Sequence, residues 1–282
     1  MSRGAFLFSA LLVLLAGLLL VSRPATQPDP EPAVRTIERT RSVRIPSTTL
    51  VSATGVQVSR PATTVLASAG GTDELPEGPA GFDVFADGNL LIADPLHKRL
   101  AVFSPEGRFL RELKVGIAVN NLTILANETI RVHEASTEDI YIFDFKGQPA
   151  RSTAEPEPVG PGDEETHVFS GNSGSVPGPQ GGRALKVEFS RPGMRLLSLE
   201  RLTTDSAGNS YVALEAGKSG ETIDVSKFVR KYSATGKLVS EVSDIPLDYY
   251  VTPINELRVR KGVLYQLRTT RSEVQVNEWD MN

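Results

Sequence analysis

The three histidines, His97, His133 and His167, carry the broadest chemistry in this chain of 282 residues. Imidazole serves as metal ligand, general base or pH switch. A metal site needs ligands that converge, which in a sequence shows as His-x-His, His-x-x-x-His or His beside Glu. None of these occurs. In a 40-residue register His133 falls opposite Ala93 and not opposite His97, so the three form no ring of equivalents and read as surface histidines. Cysteine is absent, which removes a thiol nucleophile, a disulfide framework and a lipoprotein attachment point. No Gly-x-Ser-x-Gly elbow and no phosphate loop is present. The sequence therefore nominates no catalytic, cofactor-binding or metal-binding set. Its densest charged stretch is acidic: Glu155, Glu157, Asp163, Glu164 and Glu165 lie within EPEPVGPGDEE. The alternating acids of a calcium loop are missing there. That stretch is either a solvated excursion or a loop that binds a partner.

The elements that must carry these residues are best seen from Gly81 to Leu113. Ala86-Asp87-Gly88-Asn89 reads as a hairpin turn, since Asp-Gly tolerates the positive φ of a tight turn. Ser104-Pro105-Glu106-Gly107 is a second turn. Between them Leu90-Leu91-Ile92-Ala93 and Leu100-Ala101-Val102-Phe103 are apolar at consecutive positions. Such strands are buried on both faces, as in a sheet stacked between two others. The unit recurs as an aromatic residue followed four places later by glycine, at Phe103/Gly107, Phe143/Gly147, Phe189/Gly193 and Tyr232/Gly236, with a fainter copy at Leu66/Gly70. The first four glycines are 40, 46 and 43 residues apart. Four-stranded units of about 40 residues that cover one another's faces make a propeller. The fold class is thus all-β, a propeller of six blades, or five.

Upstream of these turns, Ile140-Tyr141-Ile142, Leu185-Lys186-Val187 and Lys227-Phe228-Val229 read as further buried strands. The last unit, Leu257–Leu267 with Val274-Gln275-Val276, supplies three strands and stops. A fourth from around Thr63–Leu66 would close the ring and leave no free edge.

The pattern Gly81-x-Asp83-Val84, Asp87-Gly88-Asn89-Leu90-x-Ile92-Ala93-Asp94, then Lys98-Arg99-x-x-Val102-Phe103-x-x-x-Gly107 resembles an NHL repeat. Val229 to Lys237 resembles the second half of another. The resemblance implies a six-bladed or five-bladed propeller in which Asp94 and Arg99 support blade packing. Propeller relatives with lyase or lactonase activity hold metals at central His, Glu or Asp positions, and no such set is found here.

The ends of the chain set its address. Ala5 to Val21 is seventeen residues without a charge, long enough to span a membrane and longer than most signal-peptide cores. Arg23-Pro24 spoils a cleavage site. Residues 1–22 are therefore expected to form a transmembrane anchor, or else a cleaved signal helix. Residues 23–40 form a Pro-rich spacer, 41–282 the propeller, and 154–183 an insertion within it. The net charge is −4, but residues 23–60 carry an excess of arginine, so the main domain is more acidic than the total. An acidic domain argues against nucleic acid as partner. Two function classes remain. One is a non-catalytic, extracytoplasmic binding or scaffold module on a membrane anchor, with another protein or envelope component as partner. The other is an exported propeller-type hydrolase or lyase.

Overall fold

The computed structural model describes residues 34–50, 66–69, 76–137, 139–150, 168–178, 182–218 and 224–282. The expected membrane segment lies outside these residues. Among the described residues no helix is long and apolar enough to cross a membrane.

The described chain forms five sheets. In chain order the strands are β1 (Arg35–Ile37), β2 (Arg41–Leu50), β3 (Leu66–Ala69), β4 (Phe82–Val84), β5 (Leu90–Asp94), β6 (Arg99–Phe103), β7 (Phe109–Lys114), β8 (Val119–Ile124), β9 (Thr129–Glu134), β10 (Ile140–Asp144), β11 (Val168–Ser170), β12 (Ser173–Val176), β13 (Leu185–Glu188), β14 (Met194–Thr204), β15 (Ser210–Lys218), β16 (Asp224–Tyr232), β17 (Leu238–Ile245), β18 (Leu257–Arg260), β19 (Val263–Thr269) and β20 (Glu273–Asp280). Sheet I is β4-β5-β6-β7, sheet II β8-β9-β10 and sheet III β11-β12-β13. Sheet IV is β14-β15-β16-β17 with β1 outside it, and sheet V is β18-β19-β20-β2-β3. Apart from the parallel pair β2-β3, the consecutive strands of each sheet pair antiparallel, as a meander.

Strands β5 and β6 are buried at every residue, and their two faces enter different cores. Leu90, Ile92, Ala101 and Phe103 pack with Val43, Ile45 and Val276 of sheet V. Leu91, Ala93, Leu100 and Val102 pack with Leu122, Ile130 and Val132 of sheet II. A third core joins sheets III and IV and a fourth joins IV and V. Each fully buried Leu or Phe side chain contributes about 1.5–3 kcal/mol by leaving water. Shared cores thus join sheets I and II, III and IV, and IV and V, and the last sheet covers the first, an order that fits a propeller. Strand β4 lies against β8 and β18, and β18 against β14. The first strands of sheets I, II, IV and V therefore gather round a common axis.

The repeated glycines hold αL positions in the turns that follow the third strands. Gly107 has φ +82° and Gly147 φ +79°. Their turns tuck under the neighbouring sheet: a Cβ on Gly107 would stand 2.8 Å from Val43 Cγ1, and one on Gly147 3.1 Å from Leu113 Cβ. Gly70 lies outside the described residues.

Several expectations change. The described residues form five sheets, and segments that the 40-residue spacing assigns to a blade of their own serve as outer strands of sheet V. The strand that pairs antiparallel with β20 is β2, through Arg41–Pro46, not the Thr63–Leu66 region. Leu66–Ala69 instead pairs parallel with the far half of β2. Arg35–Ile37, assigned to the spacer, pairs parallel with β17. Ile140 and Tyr141 form a strand but are 47% and 38% exposed, since β10 is the last strand of its sheet and only the Phe143–Pro149 bridge continues beyond it. In the Asp87-Gly88 turn only Gly88 has positive φ. Asp87 acts through its side chain, Oδ1 accepting from Asn89 N at 3.0 Å.

Candidate functional site

A cavity of about 950 Å³ opens around the axis, within the range of small-molecule sites. Its walls come from β4, β8, β9, β14, β16 and β18 and from the 247–256 connection between sheets IV and V. The first strands are brought this close by Gly81, where a Cβ would lie 2.7 Å from Asn120 O.

One wall is fixed by Asp83. Its carboxylate is fully buried and accepts from the Val84 and Ile124 backbone amides, both at 2.8 Å. It also accepts from Arg260 at Nε, 3.0 Å, and at Nη2. One side chain thus ties β4 to β8 and β18. Charge-assisted bonds of this bidentate kind are among the stronger polar contacts.

The opposite wall is fixed by Lys227, whose ammonium donates to Glu215 at 2.9 Å and to Glu256. Burial works against that charge, but Glu256 and Glu215 outweigh it and hold the lysine above its usual pKa. Glu256 accepts in turn from the buried Gln266 at 3.4 Å, and Gln266 also donates to Tyr249 Oη at 2.9 Å. Both walls are built from satisfied polar groups, which resist rearrangement.

Three charged groups between these walls are not spent in this way. Arg258 donates through Nη1 to Leu257 O at 3.1 Å, and through Nη2 to Leu122 O at 3.0 Å and Asn121 Oδ1 at 3.3 Å. Its buried Nε has no partner. Burial pushes the Arg258 pKa down, with Arg260 and Arg131 adding to that, against the pull of Asp83 and Glu200. Arg131 lines the cavity, its buried Nε is also unpartnered, and no ion pair joins it to a described residue. Glu200 lines the cavity with its side chain exposed to the cavity space. Desolvation pushes its carboxyl above the usual glutamate range, opposed by Lys227 and Arg258 and aided by Glu256 and Glu215.

The residues singled out in the sequence lie elsewhere. Glu155, Glu157, Asp163, Glu164 and Glu165, and His167 with them, fall outside the described residues. Asp94 and Arg99 are buried partners, with Asp94 Oδ2 2.9 Å from the guanidinium. Arg99 also reaches Glu112 at 3.0 Å, and His97 Nδ1 sits 2.7 Å from Asp94. This is a packing cluster of sheet I, as the NHL-like pattern implies for Asp94 and Arg99. His133 is a cavity residue and not a surface histidine, because β9 turns it inward beside the axis. Among the described residues no three His, Asp or Glu side chains are grouped to hold a metal ion.

The cavity charges escaped the sequence reading. One signal was present: Leu257-Arg258-Val259-Arg260 alternates apolar and basic, and β18 is the first strand of its sheet. Alternation there places both arginines on one face of the strand next to the axis.

No protein-family model matches the chain, and no curated protein matches it. The NHL-like reading therefore rests on the residues quoted above. Solved structures similar to it include a member of the DUF4221 family from Bacteroides vulgatus, at 10% identity and TM-score 0.28, over 68% of this chain and 75% of that one. BamB from Moraxella catarrhalis matches at 12% identity and TM-score 0.29, over 86% and 97%. A streptogramin B lyase matches at 14% and 0.21, over 72% and 68%. Likeness at this level carries neither a site nor an activity to this chain.

Proposed function

We propose that this chain is a non-catalytic binding module, an NHL-like ring of five blades displayed outside the cytoplasm on an uncleaved N-terminal anchor. Its ligand, borne by another protein or an envelope component, enters the axial cavity. One observation carries the reading: the cavity walls are locked by Asp83–Arg260 and Lys227–Glu256, while Arg131 between them makes no ion pair with a described residue. A fixed frame around unspent donors is preorganised for binding, since little ordering is required when a ligand arrives. The address is supported by the uncharged run Ala5–Val21 and by Arg23-Pro24 at its exit.

The test is a photo-cross-linking residue placed at Ile254, which lines the cavity and is 58% exposed. In intact cells the full chain should stay with the membrane through carbonate washing, be cut by external protease and give a discrete adduct from position 254. A chain released by salt, or one protected from external protease, contradicts the address. A smear of adducts no different from one at a remote surface position such as Lys186 contradicts the binding role.

The second reading, an exported hydrolase or lyase, is favoured by Glu200. A carboxyl raised by desolvation beside a cavity suits a general acid or base. An E200Q chain that keeps its ligand but loses a turnover seen in the parent would establish that reading.

A further inference from the structure

Buried guanidinium groups in native proteins are nearly always paired, because an unpaired donor forfeits its water without replacement. The cavity departs from that rule at two half-buried arginines, each of which keeps a buried Nε without a partner among the described residues. Arg258 is spent only on neutral acceptors, namely two backbone carbonyls and the Asn121 amide oxygen, and its Nε donates to nothing. Arg131, from sheet II, has an orphaned Nε and makes no ion pair with a described residue. Of the other carboxylates in the same walls, Asp83 pairs with Arg260, Glu215 and Glu256 pair with Lys227, and Glu134 accepts from the Thr137 and Tyr141 hydroxyls. Glu200 lines the same cavity, and no ion pair joins it to either arginine.

We propose that Arg131 and Arg258 form the floor of an oxyanion site that takes a carboxylate or phosphate group of the ligand, with Glu200, when protonated, donating a hydrogen bond to the same group. The planar fork of a guanidinium matches the oxygens of either anion and binds them bidentately. Two arginines from different sheets would grip the group from two directions, and the surrounding protein keeps the field from being screened as it is at the surface. Desolvation keeps Glu200 protonated to higher pH than an ordinary glutamate, which removes the charge that would repel an incoming anion.

The inference rests on the cavity being a binding site, and deepens that reading by naming the chemical class. Its test is calorimetric titration of the full-length chain with two probes, inorganic phosphate and citrate, at pH 6 and low chloride. At least one should bind at millimolar concentration or tighter. R131Q removes a side chain without a partner and should still fold, yet should weaken binding at least tenfold. R258K keeps the charge but not the fork, and should weaken it severalfold. Phosphate binding alone would point to a phosphorylated ligand, and citrate binding alone to a polycarboxylate. Equal affinity in R131Q, or no binding of either probe by a folded parent chain, overturns the oxyanion site. If the Ile254 adduct then persists, the binding role survives that failure, whereas loss of both removes the cavity from consideration.

Discussion

Asp83 and Arg260 are 177 positions apart in the chain and meet beside the axis, Arg260 Nε donating to Asp83 Oδ1 at 3.0 Å. The contact joins the first strand of the first sheet to the first strand of the last, so it forms only when the last sheet meets the first. The two partners are unequal: the Asp83 side chain is fully buried and the Arg260 side chain 38% exposed. Removing the arginine strands a buried carboxylate, while removing the acid leaves a cation with access to water. R260Q should therefore cost about 2–3 kcal/mol, as expected when a buried charge loses its partner. D83N keeps only one of the two backbone contacts, because Val84 N and Ile124 N donate to different oxygens of Asp83, and should destabilise as well. Equal denaturation midpoints for R260Q and the parent chain would show that the axis does not depend on this pair.

The turn glycines make a graded prediction. Gly107, Gly147 and Gly116 all have positive φ, at +82°, +79° and +75°. A Cβ at Gly107 or Gly147 would crowd the neighbouring sheet, whereas at Gly116 nothing lies within 4 Å. G116V should cost the conformational term alone, about 1–2 kcal/mol. G147V should cost more and G107V most, because only they press on Leu113 and Val43. Urea melts that rank the three the other way would mean that the turns do not seat under the adjacent sheets.

How far the sequence revealed this protein follows from where its information is local. Leu90–Phe103 announces a doubly buried hairpin because every contact that demands those residues comes from an immediate neighbour in the stack. The aromatic-to-glycine spacing is legible for a second local reason, since it combines a strand end with an αL turn. The closing strand was expected from the unpaired end of the last unit. Its identity was not, because Val43-Arg44-Ile45 and Thr63-Thr64-Val65-Leu66 carry the same β-branched signal and only the packing chooses between them. The cavity was the least visible part. Arg131, Glu200, Lys227 and Arg258 come from three sheets, and no short motif links residues whose partners lie 29 positions away, as for Lys227 and Glu256, or 136, as for Arg258 and Leu122. The acidic stretch from Glu155 to Glu165 stood out by composition alone, which carries no placement.

Glu200 gives the pH dependence. Burial pushes its folded-state pKa up, and Lys227, Arg258, Glu256 and Glu215 are the charged groups around it. A raised carboxyl means that the folded chain holds a proton which the unfolded chain releases, so this stabilisation is present below the ordinary glutamate pKa, about 4.3. It is lost as pH rises through the raised value. Replacing Glu200 with Gln abolishes the loss. E200Q should melt higher than the parent at pH 7–8, with the gap closing as pH falls toward 4. A gap that is constant across this range, or that widens on acidification, refutes the assignment.

A preformed oxyanion site is proposed on the axis, between Arg131 and Arg258. The most direct measurement is the anomalous scattering from crystals of the full-length chain grown with selenate, a tetrahedral oxyanion with a distinctive edge. The prediction is one strong peak within hydrogen-bond reach of both the Arg131 and Arg258 guanidinium groups, with Asp83–Arg260 and Lys227–Glu256 unmoved, and no peak there in R131Q crystals. A cavity without the peak, in which Arg258 has turned to pair with Glu200, would contradict it.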